Sequence, residues 1–270
     1  MTCIFCDAEN NAISIEHIVS ESLGNEKYVM QRGKVCDICN SRFSKFEGKA
    51  LTKTVFAVER ARFAIRTKKK KAVKGKIKGI EIEGDKEFRK TYLYVKGLTH
   101  ENFKSYDPKT KIGSFEVSSF DKSEVATSKL VLKIALESIF TSQKKLFKKY
   151  DFKNLKDFLT TKNNMVWPFM TTDFEIEKFK SVPIQYDKYL LNKNHCELKF
   201  LELNHDVLLF KFKYGGVALT LNLLNRNVEW TKSIIEHDKL ASFYPDSKVS
   251  IKEDNKQIDD LPVLAHISSK

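Results

Sequence analysis

Long apolar runs are missing from this 270-residue sequence. The longest uncharged stretch of its C-terminal half, Tyr214 to Asn225, is short and is interrupted by Thr220 and Asn222. A membrane-spanning helix needs about 20 apolar residues, so none is expected. A secretion signal is lacking too, because the opening MTCIFCDAEN has neither a basic n-region nor an apolar h-region. Cysteine is scarce, and four of the five cysteines stand as two pairs no later than position 39, which is not the pattern of a secreted disulfide scaffold. Internal repeats are absent. These absences predict a soluble, globular protein of the cytoplasm with no membrane partner. Hydrophobic residues at 41% are too many for a disordered chain and enough for one large domain or two modest ones.

Acidic residues are also in deficit, leaving a net charge of +13. That excess favours a polyanionic partner. Between Arg42 and Lys78 the many basic residues are opposed only by Glu47 and Glu59, so nearly all of the excess lies in one segment. A solvated lysine-rich linker is the plain alternative. Adjacency to the cysteine cluster favours nucleic acid, held by Arg42, Lys45, Lys49, Lys53 and the run Lys68, Lys69, Lys70, Lys71. Counterions released at each neutralised phosphate would make such binding strongly salt-dependent.

Periodicity gives the rest of the architecture. Thr52 to Arg66 reads as a helix burying Val55, Val58, Phe63 and Ile65. Lys76–Glu83 and Phe88–Val95 read as strands around a Gly84-Asp85 turn. A long helix is predicted from about Ser123 to Tyr150, capped by Asp121 or Ser123, with a shorter one from Asn154 to Leu159. Glu197–Leu203, Val207–Tyr214 and Val217–Leu223 read as a meander turning at Asn204-His205-Asp206 and Gly215-Gly216. The expected fold class is α+β, with residues 1–66 as a zinc-stapled module and basic helix, and 67–270 as a mixed α+β domain with an antiparallel strand meander. His100, His195, His205, His237 and His266 are scattered without ligand spacing and are expected at surfaces or turns; Cys196, Trp167 and Trp230 are expected in the core.

Cys3-x2-Cys6 and Cys36-x2-Cys39, the second pair well after the first, can present four thiolates to one ion. Four thiolates make a closed tetrahedral zinc site. A short segment with few large apolar residues also gains folding free energy from such a metal. A thioredoxin-type redox pair or unlinked cysteines are the alternatives. A closed site has no open position for substrate, so any catalysis must come from elsewhere, and the segment between the pairs offers candidates in Glu16 and His17, which stand side by side.

Taken together, CIFC, SIEHIVSESLG and VCDICNSRFSKFEGKAL resemble the HNH (ββα-metal) nucleases, in the branch stapled by four cysteines. The resemblance covers about residues 1–50. It implies a treble-clef-like ββα-metal module in which a hairpin and a helix clasp one divalent metal. It implies that His17 is the general base that activates water, and that Glu16 and Asn40 are oxygen ligands of a catalytic Mg²⁺ or Mn²⁺, with zinc structural. Glu stands where Asp is more usual. The motif's middle Asn, which buttresses the loop, has no obvious counterpart: Gln31 is nearest and Asn25 farther away. Glu47, two helical turns after Asn40, is either a further ligand or orienting carboxylate, or a helix-surface residue pairing with lysines.

The function expected is that of a metal-dependent endonuclease cleaving phosphodiester bonds in double-stranded DNA, as a monomer or a homodimer, with restriction or anti-phage defence as the setting. Two alternatives stand beside it. One is a zinc-dependent nucleic-acid-binding protein without catalysis. The other is a nuclease effector gated by its C-terminal domain, for which recognition, sensing and oligomerisation all stay open.

Overall fold

The computed structural model describes residues 1–117, 119–162, 165–182, 196–237, 241–244 and 267–268. His195 and His266 lie outside them, as does the His237 side chain. The elements are α1 (Asp37–Lys53), α2 (Phe56–Arg62), β1 (Lys74–Ile77), β2 (Ile80–Gly84), β3 (Leu93–Lys96), β4 (Phe103–Asp107), β5 (Ile112–Phe115), α3 (Glu124–Ser142), α4 (Lys144–Lys149), α5 (Lys153–Thr160), β6 (Phe169–Thr171), β7 (Lys180–Ser181), β8 (Cys196–Asn204), β9 (Val207–Tyr214), β10 (Val217–Asn222), α6 (Lys232–His237), β11 (Ser242–Tyr244) and β12 (Ile267–Ser268). Among the described residues no helix is long and apolar enough to cross a membrane.

The chain divides into two compact units, Met1–Gly48 with Glu124–Lys252 and Lys49–Ser123 with Glu253–Lys270. The sequence reading set its boundary after residue 66 instead. The contacts explain the difference. α2 packs Ala57, Val58 and Ala61 against Val73, Ile77, Ile80 and Ile82 of the small sheet, while the cysteine module gathers around α3, which follows only after that sheet is complete.

In the first unit, α3 is buried on every side, with every residue from Ala126 to Ile139 out of solvent, as expected of a helix inside a core rather than on it. The meander is where the alternation predicts it: β8, β9 and β10 form the centre of a six-stranded antiparallel sheet ordered β11-β6-β10-β9-β8-β7. Trp167, Trp230 and Cys196 are buried as expected, and His205 sits exposed in the β8–β9 turn beside Asp206.

In the second unit three elements differ from the reading, and the strand read over Phe88–Val95 shortens to Leu93–Lys96. The helix expected over Thr52–Arg66 breaks at Thr54, whose Oγ1 donates to the Ala50 carbonyl (2.6 Å) and accepts from the Phe56 N–H (3.3 Å). A hydroxyl that bonds back one turn competes with the helical ladder and ends it. Lys76–Glu83 is a hairpin rather than one strand. It pairs Ile77 with Ile80 across Lys78-Gly79, both at positive φ (44° and 88°), as a type I′ turn requires.

Candidate active site in the N-terminal module

The module is held by sulfur at one end and packing at the other. The Sγ atoms of Cys3, Cys6, Cys36 and Cys39 all lie within 4.8 Å of one another, and none is in a disulfide. Zn–S bonds of ~2.3 Å at tetrahedral angles place sulfurs about 3.8 Å apart, and Cys6 and Cys36 are separated by 3.7 Å. The backbone N–H of Cys36 donates to Cys3 Sγ (3.5 Å) and that of Cys39 to Cys36 Sγ (3.4 Å), a donor arrangement that suits thiolates. The Cys39 thiol, with backbone N–H groups beside it, pulls the Cys3 pKa down to about 4 against the opposing effect of burial, whereas burial pushes Cys6 up. The four sulfurs fit a structural zinc. Phe5 packs edge-on to Phe43 at 4.6 Å, closing the fold between the sulfur site and α1.

The hairpin of the module is reduced to a single antiparallel bridge, His17 with Val29, flanked by Ile18 N–H to Tyr28 C=O (3.1 Å) and Met30 N–H to Glu16 C=O (2.8 Å). Alternation across that bridge buries Glu16, 7% exposed, and leaves His17 partly exposed. The connecting turn starts on a 3₁₀ helix, Glu21–Leu23, closed by Gly24 at φ 87°, a left-handed position that glycine adopts without strain. Asn25, only 7% exposed, then braces the loop: its amide donates to the Val19 (2.6 Å) and Tyr28 (2.9 Å) carbonyls, and its Oδ1 accepts from the Tyr28 N–H (2.9 Å). The buttress that the sequence left without a clear counterpart is therefore Asn25, with Gln31 exposed.

The two carboxylates expected near a catalytic ion converge on a residue that sequence reading did not single out. Lys133 of α3 is fully buried. Its Nζ donates to Glu47 Oε1 (2.6 Å), to the Glu16 carboxylate and to the His17 carbonyl (3.1 Å), with Glu137 Oε2 at 3.7 Å. Burial pushes the Lys133 ammonium towards neutrality, but Glu137, Glu47 and Glu16 outweigh it and hold its pKa above the ordinary lysine value. Burial also keeps the Glu137 carboxyl well above the usual carboxylate range, with Lys133 opposing. Nothing in the sequence marks Lys133, since Glu16 and Glu47 belong to the opening module and lie far from it along the chain; only a charged i,i+4 pair inside an apolar helix hints at it. The Tyr28 hydroxyl to Ser142 Oγ (3.1 Å) and Thr141 Oγ1 to Met30 Sδ (3.2 Å) tie the same strand to α3.

Asn40, on the first turns of α1, is elsewhere. Its amide donates to Ser14 Oγ (3.2 Å), and Ser14 in turn hydrogen-bonds Asp37. The oxygens of Glu16, Glu47 and Asn40 as arranged do not fit a divalent ion, because an ammonium stands between the two carboxylates. Among the described residues, the four cysteines are the group of side chains close enough to share a metal.

Arg42, Lys45, Lys49 and Lys53 are spaced by three and four residues along α1 and so share one helical face; the first three are exposed. Arg42 donates to the Thr160 carbonyl at the end of α5, and Lys49 to the Lys122 carbonyl (3.2 Å). Lys53 lines a groove of about 390 Å³ with Lys74, Lys76, Tyr94 and Lys96, where Glu83 and Glu81 pair with Lys74 (3.1 Å) and Lys76 (3.3 Å). Lys68 to Lys71 are exposed in a turn closed by the Arg66–Ala72 bridge. Arg60 belongs to the interior, donating to the Leu51 carbonyl (2.8 Å).

Residues 3–56 match the HNH endonuclease family, which is the segment that carries the four cysteines, Glu16, His17 and Asn40. No curated protein and no solved structure matches the chain.

Proposed function

We propose that the HNH module of this protein hydrolyses phosphodiester bonds in nucleic acid, with His17 as general base and double-stranded DNA as substrate. The observation that supports this best is a coincidence of limits. The family match over residues 3–56 spans the segment in which four clustered sulfurs and the Asn25 brace hold a partly exposed histidine at a hairpin bridge.

In the reading we favour, the neutral imidazole of His17 accepts a proton from a water molecule as that water's oxygen bonds to phosphorus. The bond from phosphorus to the leaving oxygen breaks, and that oxygen takes its proton from solvent. Zinc holds the start of α1 against the hairpin and takes no part in the reaction. The resemblance implies Mg²⁺ or Mn²⁺ at the site. Glu16 and Glu47 are instead engaged by Lys133. The exposed basic face of α1 supplies phosphate contacts, which position the substrate without reading sequence. Restriction or anti-phage defence is the setting the resemblance suggests.

A second reading has its own observation. Carboxylates held by a lysine suit a zinc-dependent binder of nucleic acid that does not cut. Incubating the purified protein with plasmid DNA and with RNA, in Mg²⁺, Mn²⁺ or EDTA, separates the two. Strand breaks support the nuclease; salt-sensitive binding with no breaks in any condition supports the binder.

A further inference from the structure

Three carboxyl groups meet one amine in the first unit, and α3 supplies two of the four. A helix whose only task is to fill a core has no use for them. Around Lys133 and Glu137, the side chains of Val131, Leu132, Ile134, Ala135 and Leu136 are all buried, and apolar residues at 133 and 137 would pack there without the cost of burying charge. The ammonium carries three protons, and three oxygens stand in hydrogen-bonding position to take them: Glu16, Glu47 and the His17 carbonyl. Among the described residues both Glu137 oxygens are buried without a hydrogen-bond partner, although Lys133 lies 3.7 Å from one of them. The surroundings of Lys133 are thus those of a cation site whose cation is covalently attached to the fold.

We infer that Lys133 is the resident cation of the carboxylate site beside His17, standing where a divalent ion would otherwise bind, and that it acts as a positioning residue for Glu16 and for the His17 backbone. Its side chain is fully buried, so it does not touch substrate; it works through the groups it holds. A divalent ion on Glu16 and Glu47 would sit within a few ångströms of the ammonium, and like charges repel strongly at that range in a buried site. Turning the lysine away would leave its charge buried and unpaired. Glu16 is therefore a partner of Lys133 and not a metal ligand, and α3 is part of the site although it lies far outside the matched segment. Only the cleavage outcome described below rests on the proposed nuclease function.

The test is metal binding by the full-length, zinc-loaded chain. Total metal analysis and Mn²⁺ electron paramagnetic resonance are expected to show one zinc per chain and no Mn²⁺ bound through Glu16. Lys133→Gln keeps hydrogen-bond donors and removes the charge. It is expected to bind one Mn²⁺ at least about tenfold more tightly than wild type, with that gain lost in Lys133→Gln/Glu16→Gln. Wild-type protein that binds Mn²⁺ and loses it on Glu16→Gln overturns the inference, and so does a folded Lys133→Gln with no gain. Should Lys133→Gln fail to fold, ¹⁵N-lysine spectra of the wild type decide. A slowly exchanging ammonium resonance that Mn²⁺ leaves sharp supports the inference, and its broadening by Mn²⁺ overturns it. If the wild type cleaves DNA, cleavage should survive an EDTA treatment that leaves the zinc in place. If it cleaves nothing, the nuclease reading fails while the Mn²⁺ measurement still decides this inference.

Discussion

Replacing Lys133 by methionine should destabilise the protein far more than removal of any surface ion pair. The substitution keeps the length and apolar stem of the side chain but leaves Glu16 and Glu47, 7% and 16% exposed at their side chains, without a counter-charge. Removing one partner of a buried charge network costs about 3–5 kcal/mol. A chain of this size shifts its melting temperature by roughly 2–4 °C per kcal/mol, so a fall of about 6–20 °C follows from the same arithmetic. The control is Lys149→Met. Lys149 pairs with Glu202 in a bridge whose two side chains are 59% and 32% exposed, and such pairs contribute about 0–1 kcal/mol. The triple variant Lys133→Met/Glu16→Gln/Glu47→Gln removes the stranded charges and should recover much of the loss. Calorimetry on zinc-saturated protein reads all three. A Lys133→Met melting point within about 2 °C of wild type, or no recovery in the triple variant, would refute the argument that the cluster is bound by charge.

Three further outcomes follow from other parts of the molecule. Cys39→Ser should take bound zinc from one per chain to none and unfold the module, since structural zinc contributes on the order of 10 kcal/mol in zinc-finger peptides; metal analysis and proteolysis of residues 1–56 check it. Asp85 accepts hydrogen bonds from the Arg89 guanidinium and from the Arg89 and Glu87 N–H groups, which hold its pKa below the ordinary range. A depressed carboxyl stabilises above its unfolded pKa of about 4 and ceases to as the pH falls through its folded value. Asp85→Asn should therefore be less stable than wild type at neutral pH, and the difference should vanish in strong acid. In nucleic-acid binding, Lys45→Gln and Lys49→Gln should each lower the slope of log K against log salt by about 0.9; Arg60→Gln, which alters a buried residue, should leave the slope unchanged while lowering the melting point.

How much of this was legible in the sequence depends on the range of the interactions. The zinc site was legible because both halves of it are local Cys-x2-Cys pairs, and the meander because alternation and turn residues act between near neighbours. The Lys78-Gly79 turn was missed because lysine at positive φ gives no composition signal, and the helix break at Thr54 because a hydroxyl bonding back one turn looks like any threonine. Lys133 was illegible for a different reason. Its meaning comes from Glu16 and Glu47, which are separated from it in chain order by the Lys49–Ser123 segment of the second unit, and no local pattern encodes that pairing. Asn25 lies between these extremes: the sequence offered it, but only the carbonyls it bridges show what it does.

The most direct test of the central claim is cleavage of supercoiled plasmid by wild-type and His17→Ala protein, run side by side with the zinc content and DNA affinity of each. The account predicts nicked or linear product from wild type, and none from His17→Ala that still carries one zinc and binds DNA equally well. Equal cleavage by both proteins would contradict it.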